Sequence, residues 1–216
     1  MDGYFVTFEG GEGAGKSSIL EAAASMLSDK GYDVLTTREP GGIEIAEKIR
    51  QVILDKTHTS MDARTESLLY AAARRQHLVE KILPALDKGK IVLCDRFIDS
   101  SLAYQGYARG IGVDDVYRIN QFAIQDAFPD MTLFFDIKPG KGLARIEANE
   151  NRERNRLDLE NIQFHEQVYE AYQWLVSQSP ERIRVIDADQ PYEQVKADAV
   201  QELLSGLHTN TEEGEQ

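Results

Sequence analysis

The chain has 216 residues, 42% of them hydrophobic and 28% charged, and carries a formal net charge of −13. This length suits one domain with a full core, and the composition is that of a globular protein rather than a disordered one. The acidic balance argues against nucleic acid as a partner, because binding its backbone requires a continuous basic face.

Small phosphate compounds remain compatible with this charge, since local basic groups can bind them within an acidic protein. The apolar stretches are far shorter than the roughly 20 residues of a membrane span, so we expect no membrane partner. The first strand begins almost at once and leaves no basic, apolar signal segment, so we expect a cytoplasmic location. Cys94 is the only cysteine, which excludes an intrachain disulfide and a cysteine-based metal site.

The first predicted element is an apolar strand at residues 4–8, followed by a glycine-rich turn and a helical segment. The turn fits the pattern G-x-x-x-x-G-K-[ST] and comprises Gly10, Gly11, Glu12, Gly13, Ala14, Gly15, Lys16 and Ser17. Its glycines let backbone N–H groups surround an anion at a helix N-terminus, Lys16 adds a full positive charge, and the Ser17 hydroxyl can bind Mg²⁺. A chance match is the alternative, but both flanks favour a nucleoside triphosphate site with Mg²⁺.

Apolar β-type runs alternate with helical patterns along the chain, at residues 4–8, 34–37, 91–94, 132–135 and 183–186. The alternation predicts an α/β fold in which helices cover both faces of a five-stranded parallel sheet. Polar residues follow the strands at their carboxyl ends, namely Glu9, Arg38, Glu39, Asp95, Arg96, Asp136 and Asp187. In open α/β sheets this edge forms the binding crevice, so we expect these residues to converge.

The longest predicted helix runs from about residue 62 to residue 88. Its start, kink and end signals are Asp62, Pro84 and Gly89. Tyr70, Arg74 and His77 fall at i, i+4 and i+7 and therefore share one face. An aromatic ring one turn from a guanidinium suits a planar base that carries oxygen atoms, although a surface Tyr–Arg stack fits the spacing equally well.

A basic segment lies between the fourth and fifth strands and contains Lys138, Lys141, Arg145, Arg152, Arg154 and Arg156. Arginines on a mobile loop can close over a triphosphate, exclude water and neutralise charge as a phosphoryl group moves. We therefore predict a lid at about residues 140–160, with a solvated charged loop as the alternative. The domain is expected to span residues 1–208, and the acidic residues 209–216 are expected to be frayed and disordered.

The histidines are His58, His77, His165 and His208, and none has a clear partner in the sequence. We expect each of them to be structural or exposed. No Ser-His-Asp or Cys-His set is available for covalent catalysis, which favours direct phosphoryl transfer by alignment and charge neutralisation.

Laid out in order, these segments resemble the bacterial thymidylate kinases, a family of P-loop nucleoside monophosphate kinases. Beside the P-loop, the matching pieces are Thr-Arg-Glu-Pro-Gly-Gly at residues 37–42, Asp-Arg-Phe at 95–97, Asp-Ser-Ser-Leu-Ala-Tyr-Gln-Gly at 99–106, Asn-Arg-Leu-Asp at 155–158 and Asp-Ala-Asp at 187–189. The P-loop alone is unspecific. The combination of Arg-Glu-Pro-Gly-Gly with Ser-Ser-Leu-Ala-Tyr-Gln is specific to this family.

The resemblance implies a three-layer α/β/α fold of the P-loop NTPase type with an arginine-bearing lid. It also implies in-line transfer of the γ-phosphate of ATP to dTMP with Mg²⁺, a step of dTTP biosynthesis, by a cytoplasmic homodimer. The implied ATP-binding positions are residues 10–17, Ser18, Arg152, Asp187 and Gln190. The implied dTMP-binding positions are Glu12, Glu39, Tyr70, Arg74, Arg96, Ser100, Ser101, Tyr104 and Gln105, and the implied metal positions are Ser17, Glu39 and Asp95.

Each position has an implied role. Arg96 would bind the dTMP phosphate, Tyr70 would stack on thymine, and Arg74 would donate to a ring oxygen. Ser100, Ser101 and Gln105 would face the base edge and the sugar, and Tyr104 would crowd the 2′ carbon. Glu39 would lie near the sugar or a water on Mg²⁺, and residues 187–190 would border adenine. The implied catalytic set is Lys16, Glu39, Asp95, Arg96 and Arg156.

Two positions qualify the resemblance. The family usually has Asp-Arg-Tyr where this chain has Phe97, so we expect that ring to pack without a hydroxyl contact. The P-loop carries Glu12 and no arginine, which resembles the class whose lid supplies the catalytic arginine. The candidates are Arg152, Arg154 and Arg156, and we favour Arg156.

Overall fold

Five parallel strands form the centre of the molecule. A computed structural model describes residues 3–148 and 156–213, with the side chains of residues 158, 159 and 209–213 left out. The strands are β1 (Tyr4–Glu9), β2 (Val34–Arg38), β3 (Ile91–Asp95), β4 (Met131–Asp136) and β5 (Ile183–Asp187). They lie in the order β2-β3-β1-β4-β5, and every neighbouring pair is parallel. The predicted five-stranded parallel sheet is confirmed.

A crevice opens where the chain changes direction across this sheet. The connection after β1 leads to β2 at one edge, whereas the connection after β3 leads to β4 in the other half. The carboxyl ends of β1 and β3 are neighbours, since Phe8 pairs with Asp95. Ligands of open α/β sheets bind at such a point. The fold therefore brings the P-loop beside residues 95–96, as the polar strand ends predicted.

Two hydrophobic clusters cover the two faces of the sheet. Helices α1 (Lys16–Asp29) and α9 (Tyr192–Glu213) contribute to the cluster that contains Val6. Helices α3 (Ala63–His77), α6 (Val113–Ile124) and α8 (Ile162–Gln178) contribute to the cluster that contains Phe5. Because successive strand residues point to opposite faces, β1 supplies side chains to both clusters. The predicted three-layer α/β/α arrangement is confirmed.

The predicted helix at residues 62–88 consists of three consecutive pieces. Asp62 caps α3 by accepting hydrogen bonds from the backbone N–H groups of Arg64 and Thr65, at 3.0 and 3.1 Å. A π-helical turn, Leu78–Ile82, then precedes α4 (Leu83–Leu86), which has Pro84 in its first turn. The wider turn adapts the helix to a residue that lacks an N–H group and crowds the preceding carbonyl.

The remaining described helices position loops around the crevice. They are α2 (Glu44–Leu54), α5 (Ile98–Ser101), α7 (Pro139–Glu147), a π-helical segment at Leu102–Ala108 and a 3-10 turn at Arg156–Leu159. The chain between α7 and the 3-10 turn, with Arg152 and Arg154, lies outside the described residues. Within the described part of the chain, none of the helices has both the length and the apolar character needed to cross a membrane.

The acidic tail differs from the expectation of disorder over part of its length. Helix α9 continues to Glu213, because the segment from residue 207 to residue 213 contains no glycine or proline. Residues 214–216 lie outside the described residues. The division into one domain and a lid stays a prediction.

Candidate active site

One cavity of about 900 Å³ occupies the carboxyl edge of the sheet. Its lining includes most of the predicted site residues, namely Glu12, Gly13, Ala14, Gly15, Lys16, Ser17, Ser18, Glu39, Tyr70, Arg74, Asp95, Arg96, Ser100, Ser101, Tyr104 and Gln105. Residues from the P-loop, the β2–α2 connection, α3 and the segment after β3 thus meet in one space. We call the part lined by the P-loop the phosphate-binding end and the part lined by Tyr70 and Gln105 the base-binding end, after the roles predicted for these residues.

The P-loop requires its glycines for backbone conformation and close contact. Gly13 and Gly15 have φ angles of 72° and 85°, which disfavour side chains. A Cβ atom at Gly13 would also collide with the carbonyl oxygen of Gly142 in α7. Helix α1 begins directly afterwards at Lys16, so its unpaired N–H groups and positive dipole end face the cavity. This is the geometry of an anion site.

Lys16 is held above the loop by backbone oxygens. Its Nζ atom donates to the carbonyl oxygens of Gly10 and Gly11, at 3.0 and 2.8 Å. Burial lowers the pKa of Lys16 to about 8, and the positive charge of Arg96 acts in the same direction. Carbonyl oxygens are weaker partners for an ammonium group than phosphate oxygens are. The side chain is therefore prepared to exchange these partners for an anion.

Arg96 forms the second cationic group of the cavity. It has a φ of 69°, in the left-handed region, and its guanidinium donates to Glu12 Oε1 at 2.6 Å. The same group donates to Gly10 O at 3.0 Å and to Ser100 Oγ at 3.1 Å, and it lies 5.1 Å from the centre of the Tyr104 ring. These contacts place a positive charge beside the P-loop, where a second phosphate group can bind.

The Ser17 hydroxyl and the Asp95 carboxylate are hydrogen-bonded to each other at the mouth of the P-loop. Both side chains supply oxygen ligands of the hard type that Mg²⁺ prefers. The remaining ligands of a Mg²⁺ site are commonly substrate phosphates and water. Among the described residues, no group of three or more His, Cys, Asp or Glu side chains could hold a metal ion without such help. The pair therefore fits a magnesium ion that arrives with a nucleotide.

The base-binding end contains a closed network of buried polar side chains around Arg74. Its Nε donates to Glu39 Oε2 at 2.7 Å, and its other nitrogens donate to Ser101 Oγ, Asn120 Oδ1 and the carbonyl oxygen of Phe97. Phe97 is buried and packs edge-on against Phe5 at 5.0 Å, so its expected packing role is confirmed. Arg74 is about 2% exposed yet still lines the cavity.

His77 has partners that the sequence did not reveal. The ring is fully buried, with Nδ1 3.0 Å from Glu39 Oε1 and Nε2 2.7 Å from Thr37 Oγ1. The expectation of a structural histidine is confirmed, and both partners come from β2 and the loop that follows it, far from His77 in the sequence. Both oxygens of Glu39 thus bind protein groups, and its role near the sugar or metal stays a prediction.

A second buried network supports Ser100 and was missed by sequence reasoning. Glu9 accepts hydrogen bonds from Phe97 N, Ser100 Oγ and Tyr172 OH, at 2.7, 2.6 and 2.8 Å. Burial raises the pKa of Glu9, and the neighbouring charge of Asp99 raises it further. Glu9 stood out as a polar strand end, whereas Tyr172 lies on a distant helix and offered no signal in the sequence.

The predicted catalytic arginine binds residues of α2 and α3 and does not line the cavity. Arg156 is buried, donates to the carbonyl oxygen of Ile53 at 2.9 Å and forms an ion pair with Glu66. Gln190 Nε2 donates to the backbone carbonyl oxygen of Asp187 at 3.2 Å, at the end of β5, and neither residue lines the cavity. The roles predicted for these three residues, and for Arg152 outside the described residues, stay predictions.

Comparison with known proteins gives a consistent result. A family model described as thymidylate kinase matches residues 8–199. A thymidylate kinase of Oceanobacillus iheyensis is 62% identical over 214 residues, 99% of this chain and 95% of the relative, and one of Bacillus licheniformis is 61% identical over 195 residues, 90% and 92%. A crystal structure of thymidylate kinase from Ehrlichia chaffeensis superimposes with a TM-score of 0.75 at 30% identity, covering 94% of this chain and 99% of that one.

Proposed function

The chain belongs to the thymidylate kinase family, and we propose that it transfers the γ-phosphoryl group of ATP to dTMP. The observation that carries the proposal is that the P-loop, Arg96 and the base-binding end line one cavity. A reaction between two nucleotides needs both phosphate groups in one space, in line and shielded from water. The shared lining of the P-loop and Arg96 supports the proposal.

The phosphate-binding end supplies the charge for the reaction. Two anionic nucleotides repel each other, and phosphoryl transfer is accelerated chiefly by alignment and by neutralisation of this charge. Lys16 and the N-terminus of α1 hold the donor phosphates, and Arg96 holds the acceptor phosphate after exchanging Glu12 for it. Ser17 and Asp95 would hold Mg²⁺, which would neutralise phosphate charge. An arginine of the lid completes the charge neutralisation when the lid closes. Arg156 is the favoured candidate, and it would have to leave its ion pair with Glu66 to do so.

The base-binding end selects the acceptor. Tyr70 stacks on the thymine ring, and Arg74, fixed by Glu39 and Ser101, donates to a ring oxygen. The Tyr104 ring, packed beside Arg96, fills the space next to the 2′ carbon and favours a deoxyribose. Arg74 and Tyr104 are buried and already held by protein contacts, which limits the entropy that substrate binding has to overcome.

A coupled assay of ADP release across dTMP, dUMP, dCMP, dGMP and AMP tests the proposal. We expect the highest kcat/KM with dTMP and a dependence on Mg²⁺. A marked preference for another acceptor would identify a different nucleotide kinase. ATP binding without any phosphorylated acceptor would indicate a P-loop switch protein instead, and the second cationic site argues against that class.

We also propose that the protein acts as a cytoplasmic homodimer. Three neighbouring helices, α2, α3 and α6, carry exposed large apolar side chains, including Leu68 at 56% and Phe122 at 88% exposure. Exposed apolar groups on adjacent elements are typical of protein interfaces. Light scattering coupled to size-exclusion chromatography should give twice the 24.3 kDa mass of one chain, and a monomer mass would contradict this proposal.

A further inference from the structure

Glu66 is a buried carboxylate on α3 that takes no part in the proposed reaction. It is 1% exposed and accepts a hydrogen bond from Gln105 Nε2 at 2.8 Å. Arg109 Nε and NH2 lie 3.4 Å from its two oxygens, and Arg156 forms an ion pair with it. Both guanidinium groups form ion pairs with this carboxylate. Glu66 is therefore an acceptor at the edge of the base-binding end.

The Glu66 carboxylate, which accepts the hydrogen bond from Gln105 Nε2, determines which way the Gln105 amide points. A glutamine side chain has a donor end and an acceptor end of nearly equal shape, and its orientation is set by its partners. Because a carboxylate can only accept, the NH₂ group of Gln105 must face Glu66. The carbonyl oxygen is the end of the amide left for the cavity, which Gln105 lines.

The cavity thus offers a fixed acceptor and a fixed donor to the base. Arg74 lines the same end of the cavity and can only donate. A 4-oxo pyrimidine, such as thymine or uracil, has a donor at N3–H and an acceptor at O4, which match an acceptor and a donor. Cytosine has an acceptor at N3 and a donor at its 4-amino group. Its N3 would therefore face the acceptor of Gln105, and its amino group would face the donor of Arg74.

We infer that Glu66 is a positioning residue for base specificity: by fixing the Gln105 amide, it restricts the site to 4-oxo pyrimidines and excludes 4-amino pyrimidines. The inference rests on the proposed function, which places the acceptor base at this end of the cavity. A site built to hydrogen-bond a substrate discriminates strongly, because a mismatched base leaves buried polar groups unpaired.

Glu66→Gln tests the inference, because an amide can donate as well as accept and so releases the constraint on Gln105. Dissociation constants of dTMP, dUMP and dCMP, measured by calorimetry without ATP, separate base recognition from any effect of Arg156 on turnover. The ratio of the dCMP constant to the dTMP constant should fall by about tenfold or more. The ratio of the dUMP constant to the dTMP constant should not change, since uracil presents the same N3–H and O4 groups as thymine.

Two further variants keep the test decisive. Arg109→Gln removes a neighbouring charge but retains the Glu66–Gln105 hydrogen bond, so its dCMP-to-dTMP ratio should equal that of the wild type. If Glu66→Gln alone does not fold, Glu66→Gln can be combined with Arg109→Gln, which removes one charge of each sign. The dCMP-to-dTMP ratio of this double variant should fall as predicted for Glu66→Gln. An unchanged dCMP-to-dTMP ratio in a folded Glu66 variant, or equal weakening of all three ligands, would overturn the inference. Wild-type protein that does not phosphorylate dTMP would instead refute the proposed function.

Discussion

The two ends of the cavity hold their charged groups in different ways. At the phosphate-binding end, Lys16 and Arg96 contact backbone carbonyl oxygens and the single carboxylate of Glu12. At the base-binding end, Arg74 and Glu39 belong to a closed network of buried protein partners. The cationic side chains of the phosphate-binding end can exchange their protein partners for a ligand. The charged side chains of the base-binding end are instead fixed by protein partners before a ligand binds. The comparison indicates that catalysis depends on the first end and that stability and selectivity depend on the second.

Removal of Lys16 should have the largest effect on turnover. We expect Lys16→Ala to lower kcat by roughly 10²–10³-fold, because it deletes charge that stabilises the transition state. The unfolding temperature should not fall, since carbonyl oxygens are the only hydrogen-bond partners that the described residues provide for Nζ. Steady-state kinetics and calorimetry check both points, with exposed Lys30 at the other end of α1 as the control site for Lys30→Ala. Near-normal kcat would contradict the assigned role.

Removal of Arg96 should act mainly on the acceptor. We expect Arg96→Ala to raise KM for dTMP by roughly 10–100-fold, because charge-assisted hydrogen bonds are worth about 1.5–3 kcal/mol. KM for ATP should change much less. Arg118→Ala, at an exposed arginine on α6, serves as the matched control. An unchanged KM for dTMP would show that the acceptor phosphate binds elsewhere.

The base-binding end should respond through stability instead. His77→Ala removes the buried hydrogen-bond partner of Glu39 Oε1 and of Thr37 Oγ1, so we expect a loss of about 2 kcal/mol in the free energy of unfolding and a fall of roughly 4–8 °C in Tm. Exposed His208 gives the control variant His208→Ala, for which no shift is expected. If His77→Ala unfolded at the wild-type temperature, the contrast between the two ends would fail.

The sequence predicted those features of the two ends that depend on residues close together in the chain. The five strands, the P-loop and the cap at Asp62 depend on short patterns, and the structure confirms the strands and the cap. The partners of His77, Arg74 and Glu9 come from elements far apart in the chain, and no single-sequence pattern encodes such pairings. The position of Arg156 depends on Glu66, 90 residues away, for the same reason.

The charge of Lys16 should also set the alkaline limit of activity. The kcat/KM for ATP reports groups of the free enzyme, and Lys16 is cationic only below its pKa of about 8. Activity should therefore be lost as the pH rises through 8, by about fivefold between pH 8 and pH 9, as the protonated fraction of Lys16 falls. The arginine side chain in Lys16→Arg stays protonated in this pH range. The activity that this variant retains should therefore not fall between pH 8 and pH 9. A wild-type profile that is flat up to pH 9.5 would contradict the prediction.

The proposed reaction requires ATP and dTMP to occupy the cavity together, end to end. Calorimetric titration of dTMP into protein saturated with Mg²⁺ and a non-hydrolysable ATP analogue measures this simultaneous binding. We predict binding of one dTMP per chain, with the analogue still bound. Displacement of the analogue by dTMP, or the absence of a second binding event, would contradict the account.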